Sequence, residues 1–398
     1  MSRPRVAAIC TIYYPNSHAD VIVTKFLEGL PTDEGLLSSQ VEIVALYIDH
    51  VLENDIGLKI AKHYGVPVYP SIRRALHAGA SKLNVDAVLL VGEHGDYPWN
   101  ERGRHMYPRR YFFEQIAGVF AESGRLVPVF SDKHLAYDYR DAQWMWDRAQ
   151  ELKIPLMAGS SLPLAWRNPW IEYEKETPVE EALAVGYGGV EAYGYHAIES
   201  LLCMVERRRG GESGVVSVQC LEGDEVWEAR DRGQWSGELA EAACAPVEGK
   251  PAGSMQEQVE KPAVFLFEHA DGLKTAVVML DGYVNQFAYA GRVGGVVQGS
   301  EFHLYPQEHY YHFSYLDLNI QQFFLTGKAP YPPERTLLAT GMIDAAMNSR
   351  HECHRRMETP WLKVAYRSYD QLPIRPRGPR AQGACLDPQS RARLVAHR

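Results

Sequence analysis

The chain has 398 residues, enough for two domains or one large elaborated one, and its 46% hydrophobic and 23% charged residues can fill a core, which excludes wholesale disorder. A formal net charge of −9 argues against a nucleic-acid or anionic-membrane partner, since both need a basic face. No apolar run approaches the length of a membrane span. The six cysteines are scattered without a CxxC pair, so neither a disulfide framework nor a zinc ribbon is indicated and a reducing cytoplasm is the expected setting.

The basic start is followed by a short apolar run, Val6 to Ile12, which suits a first buried strand rather than a signal peptide. His18 to Leu30 has near-helical apolar spacing. Val41 to Ile48 reads as a strand ending at Asp49, Asp55 to Tyr64 as a helix stopped by Gly65, and Pro67 to Tyr69 as a third short strand. Ser71 is placed to cap a helix over Ile72 to Gly79. Val85 to Val91 is a fourth strand, Pro108 to Ser123 a helix, and Leu126 to Phe130 a fifth strand. Alternation at this spacing predicts right-handed βαβ units, and therefore a parallel sheet with helices on both faces. Ligands then sit beyond the carboxyl ends of the strands, at Tyr13-Tyr14, Asp49, Gly92-Glu93-His94 and Ser131-Asp132-Lys133.

Ala142 to Leu152 continues as helix and Ile154 to Ala158 as strand, and then the pattern changes. Gly194 to Arg207 is helical. Alternating runs recur at Val215 to Cys220, Ala263 to His269, Thr275 to Leu280, Asn285 to Ala290 and Val296 to His303, separated by turns such as Asp271-Gly272. They predict an antiparallel sheet open on one face, and such a face favours a homodimer or homotetramer through sheet packing. The stretch from Gly233 to Lys261 reads as a loop, and His312 to Thr326 and Pro333 to Arg350 as closing helices. The expected division is a Rossmann-like α/β domain over 1–150, an α+β substrate and oligomerisation domain with a large open antiparallel sheet over 151–370, and a tail over 371–398 that is poorly ordered or laid across a partner subunit.

Two clusters carry the chemistry. Lys133 stands at a strand end inside Ser131-Asp132-Lys133-His134, and His196 opens a helix in Tyr195-His196-Ala197-Ile198-Glu199. A proton-transfer site needs such a pair if the fold brings them together; taken singly, each also suits a bland role, a lysine in solvent and a histidine in a core. These segments resemble the glucose-fructose oxidoreductase / inositol dehydrogenase (Gfo/Idh/MocA) family over roughly residues 5 to 366. The residues that carry the resemblance are Ala61 to Tyr69 with Ile72 to Leu76, Val85 to Val91, Asp132-Lys133-His134 at the place of a Glu-Lys-Pro signature, Gly194 to Glu199 at the place of a glycine-x-histidine-x-x-aspartate helix start, and Gly327 to Pro330 with Glu334-Arg335. The resemblance implies an NAD(P)-dependent oxidoreductase acting on a sugar, polyol or related hydroxy compound. It also implies Lys133 as acid/base or hydroxyl-polarising group and His196 as its proton-transfer partner.

The place of the dinucleotide turn holds no GxGxxG. It reads Thr11-Ile12-Tyr13-Tyr14-Pro15-Asn16-Ser17-His18, where Pro15 removes a donor N–H and the tyrosines add bulk, while Asn16 or Ser17 can still cap the next helix. The expected cofactor contacts are Thr11, Tyr13, Asn16, Ser17, His18, Asp49, Glu93 and His94. Asp49 is of the right type to accept the adenosine ribose hydroxyls and favour NAD over NADP, or else it caps its own turn. Gly92-Glu93-His94-Gly95-Asp96 places three titratable residues between glycines. Glu93 and His94, with His134 and His196, form the alternative set for a metal; Asp96 with Arg109, His134, Trp166, Glu199 and His309 are the expected substrate contacts, and a polar turn is the bland reading. Two further functional classes stay open: a nicotinamide-independent lyase, isomerase or hydrolase on the same scaffold, and a non-catalytic binding protein.

Overall fold

The computed structural model describes residues 2–304 and 310–383. Five parallel strands form the first sheet, in the order Glu42–Ile48, Arg5–Cys10, Ala87–Val91, Val129–Asp132, Leu156–Gly159. The central strand Ala87–Val91 is buried on both faces, as an unbroken aliphatic run requires. Helices Gly57–Tyr64, Ile72–His77, Arg109–Ser123 and Tyr139–Leu152 fill the crossovers, and Ser71 caps the second of them by accepting from the Arg74 N–H at 3.3 Å. The edge strand Leu156–Gly159 and the first helix of the late segment, His312–Thr326, both belong to this half. Phe313, Leu316, Ile320 and Phe323 of that helix share a core with Val6, Ala8, Cys10 and Leu89 of the sheet.

Several local elements differ from the sequence pattern. The helix after the first strand ends at Glu28, and Gly29 at φ 125° turns the chain into a small hairpin, Leu30–Thr32 with Gly35–Leu37. Its middle, Asp20–Thr24, is wound as π-helix. The expected strand Pro67 to Tyr69 is reduced to one bridge, Leu46 to Val68.

The second sheet has eight strands in the order Met357–Glu358, Val215–Glu222, Ala263–His269, Lys274–Met279, Val179–Gly186, Phe287–Val293, Val296–His303, Trp166–Asn168. One neighbouring pair in it, Lys274–Met279 with Val179–Gly186, runs parallel; the other pairs are antiparallel. Its edges do not meet, so it is an open sheet, but neither face is bare. Ala182 and Ala184 point to the helices Ala192–Val205 and Glu334–His351. Leu183 and Val185 point the other way, to Val226, Trp227, Leu239 and Ala243. The period of two in the strand thus feeds two separate cores.

This corrects two expectations. The stretch 233–261 is not a loop: it contains the helices Gly237–Cys244 and Met255–Gln258, the second closed by a Ser254/Glu257 capping box. The sheet face expected to be open is covered by the first of these, so its apolar residues no longer argue for sheet-to-sheet association. The approach is close: a Cβ on Gly299 would stand 2.0 Å from the Ala242 carbonyl oxygen, so only glycine permits this contact. The described part of the tail, up to residue 383, lies on its own chain. Ile374 exchanges two backbone hydrogen bonds with the Asn319 amide at 2.6 and 3.0 Å, and the Gln382 N–H meets Asp33 at 2.9 Å. Among the described residues no helix is long and apolar enough to cross a membrane.

Candidate active site

A cavity of about 500 Å³ opens beyond the carboxyl ends of the parallel strands. Glu93 and Lys133 reach it from the strand ends, His18 from the helix after the first strand, and His196 and Tyr193 from the helix Ala192–Val205. Asn285 to Phe287 from the second sheet and His312 with Phe313 from the late helix complete the wall. Lys133 and His196 therefore line one cavity although 63 positions apart in sequence. Among the described residues nine non-glycine positions adopt positive φ, and four of them, Asn16, His94, Lys133 and Tyr310, line this cavity.

Glu93 fastens the lysine. Its Oε1 accepts from Lys133 Nζ at 2.9 Å, and its Oε2 from the Arg109 guanidinium. Burial alone would raise the Glu93 carboxyl, but Lys133 and then Arg109 hold it well below the usual carboxylate range. Arg109 is fully buried, with its guanidinium 4.9 Å from the Tyr107 ring centroid. Gly92 makes room for it, since a Cβ there would meet Arg109 Cγ at 2.7 Å. Next along, His134 Nε2 lies 3.3 Å from Arg109. Burial and then the Arg109 and Arg104 charges push that imidazole well below its ordinary value, so it stays neutral. Arg104 continues the buried chain to Glu191 at 2.9 Å.

His196 is fastened in parallel fashion. Its Nδ1 lies 3.1 Å from Ser160 Oγ, and Ser160 in turn donates to the buried Glu199. Burial lowers the His196 imidazole against the pull of Glu199, leaving a neutral ring whose other nitrogen can take a proton. His94, half-buried between Tyr14 and His18, is pushed down to about 4, with burial the main cause. His18 Nδ1 meets Asp132 Oδ2 at 2.6 Å.

The dinucleotide end differs in kind. Between Cys10 and Gly29 there is no glycine. The Asn16 N–H points at Asp20 Oδ2, 2.8 Å away, and Asp20 is 2% exposed. Tyr13 is buried with its hydroxyl 2.7 Å from Thr24, and Thr11 donates to the Glu93 carbonyl at 2.7 Å, so both brace the turn rather than face the cavity. Ser17 accepts from the Asp20 N–H at 3.3 Å as a local cap. Asp49 accepts from the Tyr47 and Tyr97 hydroxyls at 2.5 and 2.7 Å, and a quarter of its side chain remains exposed.

Several expected contacts lie elsewhere. Trp166 is fully buried, donating to Asp33 at 2.9 Å, because its strand is the edge of the second sheet and turns the ring into the core beside Tyr315. Asp96 is exposed beyond the cavity wall, Arg109 and His134 lie behind Glu93, and Glu199 lies behind Ser160. His309 lies outside the described residues. The alternative metal set is also corrected. Glu93 faces two cations and His134 an arginine, and among the described residues no group of three or more histidine, cysteine, aspartate or glutamate side chains could hold a metal ion. The sequence pattern gave no role to Ser160, Glu191, Tyr193 or Phe287. Their signal lies in neighbours: Gly188 at φ 70°, a turn that seats Tyr193, and the strand Val179–Gly186, which the alternation test passed over.

No family model matches the sequence, and no curated protein matches it. Solved structures do. GenD2 from gentamicin A biosynthesis, solved in complex with NAD, superposes with a TM-score of 0.57 at 15% identity, covering 90% of this chain and 97% of that one. The fold is that of the Gfo/Idh/MocA family. The myo-inositol 2-dehydrogenase of Lactobacillus plantarum gives 0.55 at 12% identity, covering 89% and 99%. The myo-inositol dehydrogenase of Lactobacillus casei, solved with NAD(H) and myo-inositol, gives 0.53 at 11%, covering 89% and 96%. The likeness to these Gfo/Idh/MocA structures thus runs through both sheets at an identity that speaks for the fold alone.

Proposed function

We propose that the protein is an NAD-dependent oxidoreductase of a sugar, polyol or related hydroxy compound, with Lys133 and His196 moving the hydroxyl proton. One observation carries the reading: an ammonium and a neutral imidazole, each fastened by a buried carboxylate, line one cavity of about 500 Å³. Neighbours of the same fold were solved with NAD and with myo-inositol, which supports the choice of cofactor and substrate class.

The residues present fit the nicotinamide and ribose ends better than the pyrophosphate. Asp49 is oriented by two phenols, is partly exposed and keeps lone pairs for ribose hydroxyls, which favours NAD over NADP. The turn at Asn16 has a carboxylate of its own on one backbone donor, so a pyrophosphate gains less there than at a glycine turn. Bound NAD supplies a hydride acceptor. Lys133 donates to the substrate oxygen and stabilises the developing alkoxide. His196 takes the proton on the nitrogen away from Ser160, and Glu199 stabilises the resulting imidazolium through that serine. Tyr193 and Phe287, stacked with centroids 5.9 Å apart, give the cavity an apolar wall for a sugar face.

The test is a panel of cyclitols, aldoses and glycosides with NAD, and their ketones with NADH, followed by nicotinamide absorbance, alongside quenching of tryptophan fluorescence by NADH. Quenching together with turnover of at least one pair is the expected result. Neither signal at millimolar NADH would refute the reading. The Asp20 carboxylate in the turn favours a second reading, isomerisation or elimination without nicotinamide, and that result would move the weight to it. Among the described residues four cysteines, Cys10, Cys203, Cys220 and Cys244, are free and buried, which suits a reducing cytoplasm. A homodimer or homotetramer would form through a surface other than the covered sheet face.

A further inference from the structure

Proton transfer at one hydroxyl needs one base and one relay, and Lys133 with His196 fills both posts. A third acid–base group in the same cavity has no task in that reaction. His18 opens the helix after the first strand, and its Nδ1 lies 2.6 Å from Asp132 Oδ2. Asp132 is fully buried, and its Oδ1 has no hydrogen-bond partner among the described residues. The imidazole exposes 14% of its side chain and lines the cavity with Lys133 and Glu93. Its plane is fixed by two edge contacts, with Phe313 at 5.1 Å and His94 at 5.2 Å between centroids. A carboxylate on Nδ1 keeps the proton there and leaves the lone pair on Nε2. This is the arrangement of an oriented base, and it is carried on a different helix from His196.

We propose that His18, oriented by Asp132, is a second catalytic base that removes a proton from the carbon next to the carbonyl of the substrate's keto form. The proposal rests on the oxidoreductase reading, because oxidation of a hydroxyl creates that carbonyl and acidifies the neighbouring C–H. In the step, the C–H bond breaks and its proton passes to His18 Nε2. The electron pair becomes the C=C bond of an enediol, and the former carbonyl oxygen takes a proton from the Lys133 ammonium. Reversal returns both protons, so no net electrons move and no oxidant is consumed. The consequence is exchange of the α-hydrogen with solvent while the proton rests on His18. The ligand class is an α-hydroxy ketone of a sugar or cyclitol.

The experiment uses the full chain in deuterium oxide with 2-keto-myo-inositol and methyl 3-keto-glucoside as probes, and follows loss of the α-proton signal by NMR. Exchange needs no cofactor, whereas reduction of the same ketones by NADH reports on the oxidoreductase reading separately. The expected result is exchange at least about 100-fold above the protein-free rate, lost in His18→Asn by a factor well beyond any loss in reduction. Asp132→Asn, a positioning change, is expected to lower exchange and to shift the acidic limb of its pH profile. His94, His196, His312 and Glu93 also face His18, and Lys133 lines the same cavity, so the shift is read against the pH profile of NADH-dependent reduction by the same variant, which should keep its limb in place. Reduction without exchange in the wild type would overturn this proposal and leave the first standing. Exchange without reduction would do the reverse. A His18→Asn protein that exchanges normally and is weakened only in NADH binding would show that the imidazole serves a pyrophosphate, and would overturn the proposal without any question of misfolding.

Discussion

The two ends of one cleft have been built by opposite means. At the end that carries the proposed proton transfer the central groups are held by buried partners: Lys133 on Glu93, Glu93 on Arg109, His196 on Ser160 and Glu199. At the dinucleotide end the chain satisfies its own donors, with Asp20 on the Asn16 N–H and two tyrosines on Asp49. The first end holds its groups in place, as the proposed chemistry requires; the second offers a ligand fewer backbone donors than a glycine turn would. Fold likeness therefore carries less information about cofactor affinity than about the position of the chemistry.

The comparison can be broken most directly at Lys133. Lys133→Met keeps the length of the side chain and removes the charge; turnover should fall by about 10²- to 10⁴-fold, while tryptophan quenching by NADH stays within about threefold. A loss of binding equal to the loss of turnover would mean that the two ends are not separable. Glu93→Gln should be nearly as severe but in stability, because it leaves Arg109 and Lys133 buried and uncompensated; about 3–5 kcal/mol is expected in urea unfolding. A loss below about 1 kcal/mol would show that water reaches the pair.

Acidification sharpens the contrast further. His94, His134, His196 and His312 all have imidazoles lowered by burial, His94 to about 4 from an ordinary 6.5. The unfolded chain takes up these protons below about 6.5 while the folded one resists, so stability is complete above that pH and is lost as pH falls toward 4. The slope is about 1.4 kcal/mol per pH unit for each histidine that stays neutral. The buried Asp317 carboxyl, raised well above its ordinary value, opposes this trend. The four lowered imidazoles predict a melting temperature that drops between pH 7 and 5, less steeply for the raised carboxyls of Asp317, Asp344 and Glu334; a flat profile would show the imidazoles charging inside the cleft. The smallest effect is expected at the other end. Asp20→Asn keeps an acceptor for the Asn16 N–H and removes the negative charge, so NADH should bind about three- to tenfold more tightly, roughly 1 kcal/mol. Unchanged affinity would place the pyrophosphate away from this turn.

Much of the parallel sheet was legible because Val6 to Ile12, Val41 to Ile48 and Val85 to Val91 are short aliphatic runs between turn residues. Lys133 stood out because it follows such a run, and His196 because it lies near the start of a helix. The covering helix Gly237–Cys244 did not stand out: its Glu, Ala and Gly content matches a loop, and only its four buried residues, Leu239, Ala240, Ala243 and Cys244, distinguish it. Strand Val179–Gly186 was missed because its inner half, Leu183 to Gly186, is buried on both faces and so lacks alternation. Trp166 looked like a lid residue because sequence records its size and not its direction.

The sequence by itself determined the alternation of the main strands and helices in the first half, the missing glycine in the first turn and the strand end that carries Lys133, since these follow from local periodicity and residue chemistry. Only the tertiary structure decided that Glu93 binds Lys133, that Ser160 joins His196 to Glu199 and that His18 reaches Asp132 across 114 positions. Pairings of that kind depend on which strand ends the sheet order sets side by side, and on burial that makes an unpaired charge too costly to leave alone.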